Sequence, residues 1–367
     1  MRNSKVDLFQ DRPKNAIHVA NGMVEIRDDG TYTLKPFARE YYSRNQCPFP
    51  YDPKAQCPRF ISELLEPVFE QDDIAMLQLA FGQAMLAYNL RQKLFVLSGT
   101  PGGGKGTIVN ILKGLVGSQN CAELRTEFLG NRFETAGFIG KSMLFGNDVP
   151  SDFLRCEHAD TIKKLTGGDP NDAEIKGVTK KFQIDGHFNM VITSNGRLLV
   201  KVDDDLGAWM RRMILLELGG EPPAEPIPSF AGVLLHEEGA GIVNWAIEGA
   251  ARVLTEGFPK VSLSSRRVEK LLLESNSIVG FLGTGIEKTD SVSGITIGEL
   301  IDEYERWCRR NEWEPQLDAE SKRKLKQGLE MRFHVTEAHD IVRLNMGQET
   351  SLRGYHGVTF KPDLPTA

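Results

Sequence analysis

SGTPGGGKGT (Ser98–Thr107) follows the apolar run Leu94-Phe95-Val96-Leu97 and decides how the chain is read. It carries Gly99, Thr100, Pro101, Gly102, Gly103, Gly104 and Lys105 in the spacing G-x-x-x-x-G-K. Apolar residues then recur at helical spacing: Ile108, Val109, Ile111, Leu112, Leu115 and Val116. Strand, glycine-rich loop and helix in that order are the context a phosphate-binding loop requires. The glycines let successive backbone N–H groups turn inward around phosphate oxygens, and the helix N-terminus adds partial positive charge. Lys105 would reach the β- and γ-phosphates. A glycine-rich turn that binds nothing is the plainer reading, and a strand, helix and lysine all in register weigh against it.

Gly106 is the irregular position. A serine or threonine there ordinarily gives Mg²⁺ a hydroxyl ligand. Here Thr107 offers an oxygen one residue late, or water fills that coordination position, as a reluctantly dehydrating Mg²⁺ allows. A loop ending G-K-G-T after T-P-G resembles that of adenylate kinases and their relatives, which makes a small nucleotide kinase one reading. Such enzymes begin with their phosphate loop, whereas Gly99 lies well into this chain of 367 residues. No arginine-bearing lid stands in the expected position either.

Length leaves room for two or three domains. The 40% hydrophobic and 26% charged composition is that of an ordinary globular protein. A net charge of −6 excludes a general basic coat, so any nucleic-acid contact must be local. No apolar run reaches the roughly 18 residues of a membrane span, and MRNSKVDLFQ lacks a signal-peptide core. A cytosolic protein is expected, in the host cytosol if a phage or mobile element encodes it. Cys47, Cys57, Cys121, Cys156 and Cys308 show no paired C-x-x-C spacing, so they are read as reduced and structural rather than zinc-binding.

Four segments emerge along the chain. Residues 1–88 are expected to form a mostly helical N-terminal domain: irregular to about residue 60, with a hairpin-like piece at Met23–Ile26 and Tyr32–Leu34, then helical spacing from Phe60 to Leu90. Residues 89–220 read as an α/β core with buried strands at Leu94–Leu97, Met143–Phe145, Met190–Thr193 and Met213–Leu218. Beyond the proline-rich GGEPPAEPIPSF, residues 221–290 read as a helical lid or linker, with helices at Ala231–Glu256 and Ser265–Leu282. Residues 291–367 begin with an amphipathic helix through Ile297, Leu300, Ile301, Tyr304, Trp307 and Cys308.

Within the core, the strand Met143-Leu144-Phe145 runs into Asn147 and Asp148. A phosphate-loop motor places there the carboxylate that holds Mg²⁺ and polarises the attacking water. A carboxylate at a strand end is also an ordinary turn former. The strand MVITSN ends in Asn195, which can hydrogen-bond a γ-phosphate or start a turn before Gly196. Arg211 and Arg212 precede a further strand, either as a solvated face or as an arginine finger reaching a neighbouring subunit's nucleotide.

The phosphate loop, Asp148, TGGD (Thr166–Asp169), ITSN (Ile192–Asn195) and WMRRM (Trp209–Met213) occur in that order. Together they resemble a superfamily 3 helicase of the poxvirus, phage and plasmid primase-helicase type. NGMVEI and YDPKAQCPRF (Tyr51–Phe60) are similar to the segment before the motor in that group. The resemblance implies an AAA+ phosphate-loop ATPase core that binds ATP and Mg²⁺ and moves along single-stranded DNA as a ring, typically a homohexamer. By position it assigns ATP to Lys105 and loop residues Gly99–Thr107. Asp148 and Thr107 fall to the metal, Asn195 to the γ-phosphate, and Arg212 with Arg211 to a finger acting in trans. A pore hairpin is expected within Glu174–Phe188, offering Lys176, Lys180 and Lys181 to DNA phosphates. Gly106 and Asn147 depart from the pattern and thin the metal site. The family often carries a primase domain ahead of the motor, and none is legible here. A separate primase or initiator is therefore an expected partner, unless the chain is a fragment of a longer one.

In the last segment AESKRKLKQGLEMRF reads as a second helix with Lys322, Arg323, Lys324 and Lys326 in its first turns. Two strands follow, in HVTEAHDIVRL and RGYHGVTFK. Helices followed by a β-ribbon suggest a winged-helix-like module, with Lys322, Arg323 and Lys326 facing DNA. Acids balance bases across this segment, which leaves a protein-docking or structural module open. Three functions compete. The first is an ATP-driven DNA helicase for a phage, plasmid or integrated element. The second is an ATP-gated DNA-binding or loading assembly with weak hydrolysis. The third is a nucleoside monophosphate kinase.

Overall fold

The structure, a computed structural model, describes residues 12–131, 133–150, 154, 159–174, 181–196, 198, 206–220, 222–223, 225–274, 277–290, 294–311, 313, 315–345 and 348–361. The chain divides into two units, the main boundary falling between Val268 and Glu269.

The first unit opens with an antiparallel sheet of β1 (Ala16–Val19), β2 (Gly22–Ile26) and β3 (Tyr32–Lys35). The hairpin read at Met23–Ile26 and Tyr32–Leu34 is β2–β3, and β1 adds a strand that sequence reasoning did not single out. Asn21-Gly22 is a hairpin signal between two short apolar runs, and Ile17, Val19, Val24 and Ile26 are buried together. After a 3-10 turn at Arg39–Tyr41 come a π-helical turn, Phe60–Leu65, and α1 (Gln71–Met85).

A five-stranded parallel sheet forms the centre of this unit. Its elements in chain order are β4 (Leu94–Gly99), α2 (Lys105–Val116), β5 (Cys121–Glu123), β6 (Met143–Gly146) and α3 (Ala159–Gly167). The hairpin β7 (Pro170–Glu174) and β8 (Lys181–Asp185) comes next, then β9 (Asn189–Ser194), α4 (Leu206–Arg212) and β10 (Met213–Leu218). The spatial order is β10-β4-β9-β6-β5. All four strands expected from their apolar runs are present. Residues buried on both faces of a parallel sheet need no alternation, which is why those runs are legible. Three-residue β5 carries no such run and gives no signal of its own. This sheet, with the loop at the end of β4, is consistent with a phosphate-loop ATPase core.

Helix α5 (Phe230–Thr255) lies against α1. The two backbones touch where Gly82 meets Ala250 and Gly249 meets Gln78, since a Cβ at either glycine would overlap the facing backbone. At the other end of α5, the Glu238 carboxylate accepts the N–H groups of Arg59 and Phe60 at 2.9 and 2.8 Å, satisfying donors that start the π-helical turn.

Helix α6 (Leu263–Glu274) spans the boundary. The second unit contains α7 (Ser277–Thr284), β11 (Ile286–Lys288), β12 (Ile295–Thr296), α8 (Ile297–Arg310) and α9 (Ala319–Phe333). The strands β13 (Glu337–Asn345), β14 (Gln348–Tyr355) and β15 (Val358–Phe360) complete it. The expected order of two helices and a ribbon is present, but the ribbon's second strand is Gln348–Tyr355 rather than Arg353–Lys361. The end of the latter stretch turns at His356-Gly357 into β15 on β11, and β12 is added to the edge of the ribbon. Its core is its own: Phe281, Leu300, Tyr304, Cys308, Leu325, Leu329 and Tyr355. A capping box starts α8, with Thr296 Oγ1 accepting from the Glu299 N–H and the Glu299 carboxylate accepting from the Thr296 N–H. Among the described residues no helix is long and apolar enough to cross a membrane.

Candidate nucleotide site

All five strands of the central sheet run the same way, so their C-terminal ends share one edge. Gly99 ends β4, Ser194 ends β9 beside it, and Gly146 ends β6 beyond that. Asn195 thus stands between the phosphate loop and Asp148. Together with Thr107, Asn110 and Asn147 they line one cleft of about 490 Å³.

The loop glycines have a conformational reason. Gly102 and Gly104 have φ of +80° and +94°, the left-handed region that costs any residue with a Cβ. Gly104 immediately precedes α2, so the helix opens onto the cleft. Lys105 is 5% exposed, and its Nζ donates to the carbonyls of Gly99 and Thr100 at 2.7 and 2.8 Å. Burial lowers its pKa from the ordinary lysine value, and the Asp148 carboxylate opposes that shift. A buried ammonium whose hydrogen bonds, among the described residues, go to neutral carbonyls is a natural partner for an anion.

Asp148 is held in place by Thr193. Its N–H donates to Thr193 Oγ1 at 2.8 Å, and the Val149 N–H donates to the Thr193 carbonyl at 2.9 Å. The price of this turn is a φ of +45° at Asp148, a region that aspartate tolerates better than most residues. Thr193 and Asn110 are contributors that sequence reasoning did not single out. Thr193 lies inside the ITSN motif, and Asn110 lies one helical turn beyond Thr107 on α2, so both signals are present in the sequence.

The donor set suits a triphosphate with a largely hydrated Mg²⁺. Lys105 and the loop amides would hold phosphate, Thr107 and Asp148 would face the metal, and Asn195 would face the terminal phosphate. A Cβ built on Gly106 meets nothing within 4 Å, so the hydroxyl missing there leaves space that water can fill.

Arg211 and Arg212 are not part of this cleft. They end α4 just before Met213, which pairs with Leu94 at the start of β4, while the loop lies beyond its end. Five strand steps, about 17 Å, separate them from the loop edge. Arg212 Nη1 donates to the Ala208 carbonyl at 3.4 Å, and the guanidinium lies beside Gly167. TGGD belongs to the same far edge. It turns α3 into β7, and Gly168, at φ +89°, leaves space filled by the His187 ring.

Of the expected pore lysines, Lys176 and Lys180 lie outside the described residues. Lys181 pairs with Glu174 at the last register position of the hairpin, whose first strand starts at Pro170, earlier than expected. On α9, Lys326 Nζ is 2.5 Å from Glu337, which also pairs with Arg353, so its charge is compensated. Arg323 is exposed and Lys322 half-buried on the same helix.

Comparison with known proteins adds to this geometry. Residues 2–70 match the family described as D5 N terminal like. Residues 97–212 match a family of unknown function, DUF5906, over a span that runs from Leu97, before the phosphate loop, to Arg212. No curated protein matches the chain. Among solved structures, the apo structure of NrS-1 C terminal region (305-718) aligns at 14% identity and a TM-score of 0.49, covering 84% of this chain and 79% of that one. The A form apo structure of the same region aligns at 13% identity and 0.48, with the same coverage.

Proposed function

We propose that the chain is an ATP hydrolase of the AAA+ superfamily 3 type that works as a homo-oligomeric ring, a hexamer, on single-stranded DNA during replication of a phage, plasmid or integrated element. The observation that carries this reading is the split of the charged machinery between two edges of one parallel sheet. Lys105, Asp148 and Asn195 meet at the edge where the strands end. Arg211 and Arg212 stand at the edge where they begin, too far to serve their own nucleotide. An arginine so placed acts on a nucleotide only across a subunit boundary, which is the logic of a ring with a finger in trans. The second unit, two helices followed by a β-ribbon, fits a winged-helix-like module with α9 toward DNA.

The test is ATP hydrolysis with and without single-stranded DNA for the native chain, Lys105→Ala and Arg212→Ala. DNA-stimulated turnover should be lost in each variant and partly regained when the two are mixed, because a mixed ring restores sites with both residues. Hydrolysis indifferent to DNA and surviving Arg212→Ala would overturn the helicase reading. A second reading rests on the sparse metal site at Gly106 and Asn147: a DNA-loading ring that binds ATP and hydrolyses it slowly. Nucleotide-dependent DNA binding without strand displacement would favour it.

A further inference from the structure

A second cleft, of about 500 Å³, opens in the first unit at the edge where the parallel strands begin. Ser142 and Phe188, which immediately precede β6 and β9, form its floor. Its walls come from the segment before β1, the loop after β3, the end of α1 and the stretch before β6. It shares no lining residue with the nucleotide cleft, from which the sheet separates it by about 17 Å.

Its charge is one-sided. Among the described residues, Arg12, Lys14, Arg44 and Lys141 line it against a single carboxylate, Asp185. Three of these cations are held by groups that carry no negative charge. Arg12 donates to the carbonyls of Leu86 and Ala87 at 3.1 and 2.9 Å, and Lys141 to the carbonyl of Gln119 at 2.7 Å. Lys14 lies 4.1 Å from the centre of the Tyr88 ring. Fixing cations on neutral acceptors leaves their field uncancelled, and a concave wall focuses it. In a chain of net charge −6, such a patch needs an explanation.

Two further features point to a ligand. Ser142 is 6% exposed, and its hydroxyl has no hydrogen-bond partner among the described residues; the same holds for Asn45 Nδ2 and His187 Nδ1 in this lining. Buried polar atoms are ordinarily satisfied, so three orphans behind one cleft set it apart from an ordinary packed wall. Tyr42 sits in the left-handed region at φ +44° and keeps its ring 39% exposed at the rim. Lys14 and His187 occupy the faces of Tyr88, which leaves Tyr42 as the accessible platform.

Cations, an exposed ring and unpaired donors are what a nucleotide unit requires: phosphates on the cations, a base stacked on tyrosine. We propose that this cleft holds a segment of single-stranded DNA, engaging its phosphates through Lys14, Arg44 and Lys141 and one base through Tyr42. The inference rests on single-stranded DNA being the partner of this motor, and it adds a contact surface separate from the hairpin and from α9.

The experiment is anisotropy of a labelled oligothymidylate against salt, for the native chain, Tyr42→Ala and the double variant Lys14→Gln with Arg44→Gln, with labelled thymidine monophosphate as a second probe. Each variant should bind the oligomer about tenfold more weakly. The logarithmic salt slope of the lysine–arginine pair should fall by about 0.7 for each phosphate that the variant no longer neutralises. Their thermal unfolding and DNA-free hydrolysis should match the native chain. Native-like binding by all variants would overturn the cleft proposal while leaving the motor reading intact. A native chain that binds no oligomer would overturn both. Thymidine monophosphate bound as tightly as the oligomer, and bound weakly by the same variants, would replace the strand with a free nucleotide and so overturn the proposal.

Discussion

Gly106 shows how one missing side chain shapes this site. It is the second residue of α2, where glycine costs up to about 1 kcal/mol of helix stability, and a Cβ there has free space. Gly106→Ser should therefore raise stability by about 0.5 kcal/mol and lower the magnesium concentration needed for half-maximal nucleotide binding. Magnesium titrations of nucleotide affinity, with thermal unfolding alongside, check both. The cysteines make a pH prediction. Burial pushes the Cys47 and Cys57 thiols up to about 12, the carboxylate of Glu238 also acting on Cys57. Only the thiolate reacts, so at pH 8 both should resist alkylation in the folded protein and react once it is unfolded. Rapid native alkylation of either would contradict the burial. Lys105, Asp148 and Asn195 are legible as residues because each ends or follows a recognisable strand. That Thr193 fixes Asp148 is not, since the bond joins β9 to the turn after β6 across 45 residues of chain.

The contact between α1 and α5 depends on backbone closeness. Gly82→Ala pushes a Cβ into the backbone of Ala250, and a helix spine cannot yield as a side-chain tip can. It should cost about 2 kcal/mol, read by denaturant unfolding, although alanine is the better helix former. Asp73, 1% exposed in the first turn of α1, accepts two hydrogen bonds of 2.7 Å from Arg267 Nη1. Desolvation holds its pKa above the ordinary value despite that partner. Asp73→Ala takes the buried partner from Arg267, which keeps the exposed Glu217 at 3.1 Å, so it should cost about 2 kcal/mol. The raised pKa fixes the sign with pH. A carboxyl whose folded pKa exceeds its unfolded one burdens the fold most when ionised, so the native chain gains from Asp73 as pH falls through that folded value. Asp73→Ala should lose that gain in stability measured across the acidic range. The element order is largely readable, because helical spacing and buried apolar runs are local patterns. In the first sheet the hairpin β2–β3 is legible, whereas β1 is not, since it is short and its burial depends on partners far along the chain.

For the whole molecule, the two separate cores make a further prediction. The first unit's core ends within residues before Val268, and the second unit's begins at Ile278. Calorimetry should resolve two transitions, with Thr296→Ala, which removes the cap of α8, lowering only one of them by the equivalent of about 1 kcal/mol. A single transition shifted as a whole would show that the cores unfold together. The sequence by itself determined the phosphate loop, the strands around it, the order of motifs and the helix-helix-ribbon of the last segment, because propensity, spacing and loop chemistry act over a few residues. Tertiary structure alone decided which strand lies beside which. It set Asn195 between Lys105 and Asp148 and sent TGGD, Arg211 and Arg212 to the far edge. It also gathered Lys14, Tyr42, Ser142 and His187 around one cleft. Strand order and the meeting of distant segments follow from how whole faces bury against one another, and no local stretch of sequence encodes that.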